Sequence, residues 1–370
     1  MNINLDNHTS THPCKAVLEF LQDKDAYYSP HCPHKLGAKT LNLLEDALES
    51  LHFRKKENTY FFPSWQEAID RLFFALYFNE ISETGKNQIL LLETEDAPMF
   101  YAAEKLKQLG CEVKLISLDK KGNVDLESLQ KAINPKTCFF SISYANGLTG
   151  TIYPINQIGK ICKDNGVKLH LDLSYVLGKI FIDFESLPVD FITLSSHLIH
   201  GPKGACLLTK RKDFFSQSDL TNVPLWSQDP HFAKAFSLAV KQTELFVEKM
   251  ALEVTRLKKE FEKKITEGLE GVEVLFKDSL TLPNVSVIYF PKIHAEALLY
   301  KLNKKGLFAT FGGGVNQPLF TVLEKSGMDK YKHSSLSFAF SRYNTIDEIT
   351  KAANIIIDEV KLLFEVSIDL

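Results

Sequence analysis

The segments HLDLSYVLGKIFIDF, His170–Phe184, and VDFITLSSHLIHGPKGACLL, Val189–Leu208, decide the fold. The first completes a strand-like run, Lys168–Asp172, that delivers His170 and Asp172 before a glycine at Gly178. The second carries the run Asp190–Leu194, which delivers Ser195 and His197 before the turn Gly201-Pro202. Short apolar runs closed by glycine read as strands of a buried sheet, and in parallel α/β sheets ligands gather at the carboxyl ends of the strands. A buried Asp, a Ser and a His meeting there would form a polar cluster in an apolar setting. Taken alone, the cluster suits a hydrogen-bonded strand terminus as well as it suits a ligand site.

The same rhythm extends upstream. Gln88–Glu93 reads as a strand, Met99–Leu109 as a helix stopped by Gly110, and Cys111–Ile116 as the next strand. Leu126–Ile133 is a helix ending at Asn134-Pro135, Cys138–Ser143 a strand, and Ile155–Asn165 a helix stopped by Gly166. Alternation of this kind predicts βαβ units with a mostly parallel sheet covered on both faces. After Pro230 the pattern changes: Phe236, Val240, Thr243, Val247, Met250, Val254, Leu257 and Phe261 recur in steps of four and three, one stripe on a long helix. About 30 residues of helix span about 45 Å, enough to bridge two domains. Strands at Asn284–Phe290 and Ser335–Phe340 follow, with helices at Ala295–Lys304 and Ile346–Glu365. The division expected is a large α/β domain over 13–245 and a small α+β domain from 1–12 and 246–370.

Composition excludes several classes. A formal charge of -3 over 370 residues gives no global field to draw nucleic acid or anionic lipid. No uninterrupted apolar stretch approaches the ~20 residues that span a bilayer. The N-terminus lacks a basic start followed by an apolar run, so no secretory signal is read and a cytoplasmic protein is expected. Six scattered cysteines without a C-x-x-C pair are read as reduced thiols. His8, His12, Cys14, His31, Cys32 and His34 enrich the beginning in ligand types, but their spacing matches no zinc pattern, and no metal is expected.

These segments, with SFAFSRYNTIDEI near the C-terminus, resemble the class V aminotransferases of fold-type I, and most closely the NifS/IscS-type cysteine desulfurases. INLDNHTSTHPCKAVLEFL, YSPHCPHKLG, GNVDLESLQKAI, ANGLTGTIYPI and LPNVSVIYF are similar to family segments in the same order. The resemblance implies a large domain with a mostly parallel, seven-stranded-type sheet, a small α+β domain, pyridoxal 5'-phosphate as cofactor, and a homodimer. It gives Asp172 the pyridinium nitrogen, Ser195 and His197 the phosphate, and Asn146 a place near the phenolic oxygen. A carboxylate suits a protonated ring nitrogen, and neutral or cationic donors suit a dianion.

The chemistry, however, is missing. The family loop reads S-x-H-K, and its lysine, which forms the covalent link and moves the α-proton, is matched here by Leu198. Lys203 is no natural substitute, because the family carries a lysine at that position too. The Gly-Ala-Thr phosphate turn is matched by Ser64-Trp65-Gln66, the ring-stacking histidine by Asp96, the glutamine after the strand aspartate by Tyr175, and the carboxylate-holding arginine by Ser337, although Arg342 remains. The loop that bears the desulfurase cysteine reads TFGGGVNQPLF, Thr310–Phe320, and all six cysteines precede residue 207. Gly312-Gly313-Gly314 lacks the strand-loop-helix context of a phosphate cradle and reads as a connector.

The expectation is therefore a desulfurase-like protein without desulfurase activity. It would serve as a scaffold or regulator, with a functional desulfurase or a sulfur-acceptor protein as partner. The alternative is an enzyme that holds pyridoxal or pyridoxamine phosphate without a covalent lysine, acting on an amino acid or amino sugar. His197, His200 or Tyr175 would be its base, and Asp172, Ser195, His197, Asn146, Tyr175 and Gln66 would line its cofactor site.

Overall fold

The computed structural model describes residues 2–24, 28–51, 58–211 and 229–368. Twelve strands lie among them: β1 (Ile3–Asn4), β2 (Thr59–Phe62), β3 (Gln88–Leu92), β4 (Glu112–Ile116), β5 (Thr137–Ser143), β6 (Lys168–Asp172), β7 (Phe191–Ser195), β8 (Cys206–Lys210), β9 (Glu273–Val274), β10 (Val285–Tyr289), β11 (Leu307–Phe308) and β12 (Ser335–Ala339). Seven form one sheet in the order β2-β8-β7-β6-β5-β3-β4. Its β4-β3-β5-β6-β7 stretch is parallel, while β8 and β2 close the far edge antiparallel. This is the α/β architecture with a mostly parallel seven-stranded sheet that the sequence predicts. The two edge strands β2 and β8 are the elements the alternating rhythm does not single out.

The centre of the sheet follows from composition. All seven residues of β5, TCFFSIS, are buried, as a strand covered by helices on both faces must be. Helix Ile155–Asp164 covers it with Ile155, Ile158 and Cys162, spaced to share one face, and turns its lysines outward. Helix Trp65–Leu76 starts where Ser64 Oγ accepts the Glu67 N–H at 3.1 Å. That cap places Trp65 at the first helical position, beside the carboxyl end of the sheet.

A second, antiparallel sheet runs β12-β10-β9, and β1 pairs in parallel with β11. Between the two cores runs the striped helix. Pro230–Lys249 and Thr255–Gly268 are joined by a π-helical turn, Met250–Val254. Ala235, Phe236, Ala239 and Val240 belong to the apolar cluster of the large sheet, whereas Met250, Val254, Leu257 and Phe261 belong to that of the small one. One stripe thus serves both cores, with the π-turn at the handover. Among the described residues no helix is long and apolar enough to cross a membrane.

Candidate functional site

The carboxyl ends of β3, β5, β6 and β7 converge; β5, β6 and β7 end in Ser143, Asp172 and Ser195, and Glu95 and Asp96 follow β3. β6 ends in Asp172, 1% exposed. Its Oδ1 accepts the Ser174 N–H at 2.9 Å, while Oδ2 accepts the indole Nε1–H of Trp65 at 2.9 Å and the Thr193 hydroxyl. Oδ2 therefore has both lone-pair directions taken by the chain's own donors. Thr193 gives its single proton to Asp172, so it must accept from His170 Nε2–H at 3.0 Å, and His170 Nδ1 then accepts from Ser141 at 2.8 Å. His170 is held neutral inside the strand layer, its pKa pushed down to about 3 by burial.

A second chain of bonds lies beside the first. Tyr175 donates to Asp96 Oδ2 at 2.6 Å and accepts from Asn316 Nδ2 at 2.8 Å. Its ring meets the Trp65 indole edge-on, centroids 6.4 Å apart. Gly147 makes room for it: a Cβ there would lie 2.5 Å from two Tyr175 ring carbons. Just upstream of Asp96, Glu95 accepts the Ser143 N–H at 2.9 Å and the Ser143 hydroxyl at 2.8 Å.

Glu95, Asp96 and Asp172 thus bring three buried carboxyls to one sheet edge. Burial pushes Glu95 up to about 8, the charges of Asp96 and Asp172 adding to it and the Ser143 bonds opposing. Burial, with Asp172 adding, pushes Asp96 up to about 7 against the Tyr175 bond. Asp172 rises to about 6, again by burial, opposed by the bonds from Thr193, Ser174 and Trp65. A desolvated carboxyl surrounded by others is most stable neutral, and ionising one of them raises the cost of ionising the next.

Residues 3–222 match the family Aminotransferase class-V, more than half of the chain. The chain belongs to the class-V aminotransferase family. It is 27% identical to a cysteine desulfurase of Nostoc sp. over 383 residues, covering 98% of this chain and 93% of that one. It is 30% identical to the mitochondrial cysteine desulfurase of Arabidopsis thaliana over 300 residues, 76% of this chain and 64% of the relative. Its fold matches a solved NifS-like protein with TM-score 0.87 at 22% identity, over 98% of this chain and 100% of the other. A cysteine desulfurase of Thermococcus onnurineus, solved in its apo form, matches with TM-score 0.81 at 18% identity, over 97% and 95% of the two chains.

In this class-V aminotransferase the expected site residues meet unevenly. Asp172, Tyr175 and Trp65 come together as described. Ser195 is buried at the end of β7, where its N–H donates to Ser174 Oγ at 2.8 Å and its hydroxyl faces Cys206 Sγ at 4.0 Å. His197 is half-buried and pushed down to about 4 by burial and then by Lys203. Asn146 turns inward on its own loop, its Oδ1 accepting the N–H groups of Leu148 at 3.0 Å and Thr149 at 2.9 Å. Gln66 reaches away from Asp172, to Asp70 at 3.1 Å and the Pro98 carbonyl at 3.3 Å. Leu198 is buried, and Lys203 is exposed.

The glycine turn Gly312-Gly313-Gly314, all at positive φ, is pinned on both sides of the site. Val315 accepts the Ala97 N–H at 2.9 Å, and Asn316 reaches Tyr175. Ser337 bonds to the Leu148 carbonyl at 2.5 Å and to His8 Nε2 at 3.0 Å, with His8 Nδ1 on the Gly147 carbonyl at 2.8 Å. All six cysteines are free, and none lies on the 310–320 loop. Sequence reasoning missed Glu95, Thr193 and Asn316. For Glu95 a signal was present, since it lies three residues beyond the strand that ends at Leu92 and directly precedes Asp96. Asn316 gave none, because 141 residues separate it from Tyr175.

Proposed function

We propose that this class-V aminotransferase is a scaffold or regulatory protein and not a working desulfurase, with its own indole standing where a cofactor ring would lie. One observation carries the reading: Trp65 Nε1–H donates to Asp172 Oδ2, the bond that a protonated pyridine nitrogen would otherwise make. The residues present do not fit pyridoxal phosphate. Ser64-Trp65-Gln66 offers a capped helix start and a bulky ring in place of an open phosphate turn. Asp96 and Asp172 are already bonded to Tyr175, Trp65 and Thr193, and Leu198 supplies no amine. Loss of the lysine also removes a general base, which ordinarily contributes ~10²–10⁴-fold. With Ser337 and the cysteine-free loop, substrate capture and sulfur transfer lack their groups as well. The rival reading, an enzyme using the cofactor without a covalent link, needs an accepting Asp172 and is opposed by the same bond.

The role we infer is played in the cytoplasm as a homodimer, or against a functional desulfurase or a sulfur-acceptor protein. The purified chain titrated with pyridoxal phosphate is expected to gain no bound-cofactor absorbance and to release no sulfide from cysteine above background. A yellow protein that liberates sulfide overturns the proposal. Co-purification from the native host tests the partner, and a chain recovered only as a monomer without partners defeats the regulatory role.

A further inference from the structure

A separate cavity of about 20 Å³ lies where the two cores meet. Asp172, Trp65 and Ser195 are not among its walls. They come instead from the turn after β6 (Lys179), the turn after β7 (Leu198 and His200), the approach to β10 (Asn284) and the segment after β12 (Arg342). Lys179 is 8% exposed and Arg342 3%. No ion pair involves either among the described residues; the Lys179 ammonium lies 6.0 Å from the Tyr175 ring, the residue also lining the adjoining groove beside β10, and Arg342 has the Gln242 carbonyl on Nη1 at 3.3 Å and the rings of Phe246 and Tyr343. The buried Nε and Nη2 of Arg342 have no hydrogen-bond partner. These two nitrogens form one edge of the guanidinium, with N–H bonds pointing the same way, the edge that receives anions two bonds at a time.

A buried charge without partner costs far more than one that is paired, and here two cations share one cavity. His200 lines the same cavity, its Nδ1 committed to the His12 carbonyl at 2.7 Å. Its pKa is pushed down to about 3, by burial first and then by Arg342, with Lys179 contributing. Burial likewise pulls Lys179 down to about 8, and no acid holds it up. A void of this volume has room for about one small body, so a monatomic anion suits it better than a phosphate or an amino-acid carboxylate.

We propose that this cavity is a halide site, in which one chloride ion lies against the Nε–Nη2 edge of Arg342 with the Lys179 ammonium as a second cationic wall. Because the walls come from both cores, the ion ties them together and stabilises the folded chain by mass action. The site does not depend on how the Asp172 region is read.

The test is thermal unfolding of the full chain in sodium chloride against sodium gluconate at equal ionic strength. A saturable rise in Tm of about 2–4 °C is expected in chloride and bromide only, lost in Arg342→Gln and weakened in Lys179→Met. Crystals soaked in bromide should show an anomalous peak within hydrogen-bond distance of Arg342 Nε and Nη2. This readout uses the native sequence and stands even if Arg342→Gln does not fold. Equal Tm in chloride and gluconate, or a cavity holding only water after the bromide soak, overturns the proposal.

Discussion

Tyr175 donates its phenolic proton to Asp96 at 2.6 Å, across 79 residues of sequence, and so turns a buried carboxyl into an acceptor for the chain's own side chain. Together with Trp65 on Asp172 it makes the region a closed set of internal bonds. Four expected outcomes follow from that closure.

Trp65→Phe keeps an aromatic ring and removes the N–H. Asp172 Oδ2 then retains only Thr193. Losing a buried bond to a carboxyl costs about 1–3 kcal/mol, so urea unfolding should show a lower midpoint with an unchanged slope. Trp65→Ala adds a cavity at a side chain that is 6% exposed and should cost about 3–5 kcal/mol.

Leu198→Lys alone should leave pyridoxal phosphate unbound, because the indole still holds Asp172. Trp65→Ala with Leu198→Lys restores an amine and frees the carboxylate together. If the indole is the obstacle, only the double variant acquires cofactor absorbance. Equal absorbance from Leu198→Lys alone would show that Trp65 does not block the ring.

Gly147→Ala places a Cβ 2.5 Å from the Tyr175 ring. Overpacking of this kind costs about 1–3 kcal/mol. In a Tyr175→Ala background the same change should cost much less, so a double-mutant cycle by denaturant unfolding should return a coupling of about 1 kcal/mol or more. A coupling near zero would mean the ring moves aside freely.

Stability should fall as pH rises from 6.5 to 8, the window in which the raised carboxyls act without the buried histidines or Lys179. Glu95 has an ordinary pKa of 4.5 and about 8 in the folded chain. The folded state therefore keeps a proton that the unfolded state releases, a contribution complete below 4.5 and lost as pH rises through 8. Asp96 acts likewise up to about 7 and Asp172 up to about 6. Glu95→Gln should flatten the decline of Tm over this range. His8 and His170, lowered from 6.5 to about 4 and about 3, act below 6.5, where stability is lost as pH falls toward those values. Tm measured across pH in both proteins checks the direction.

The sheet was legible because each of its parallel strands announces itself locally. The buried runs Gln88–Leu92, Thr137–Ser143 and Phe191–Ser195 need helices on both faces, and Gly110 and Gly166 mark where those helices stop. The long stripe after Pro230 was equally plain, since its spacing is a property of one helix. Its division between two cores was not, because nothing local distinguishes Val240 from Val254.

The sequence by itself determined the α/β fold and which residues stand where, with Leu198 in the loop after β7 and no cysteine between 310 and 320. Periodicity and residue identity are local properties and need no coordinates. Only the tertiary structure decided that Trp65 points at Asp172, 107 residues away, that Asn316 closes on Tyr175, and that Lys179 and Arg342 share a cavity. Side-chain direction at a helix start or a turn is set by what packs against it, and those neighbours come from distant parts of the chain.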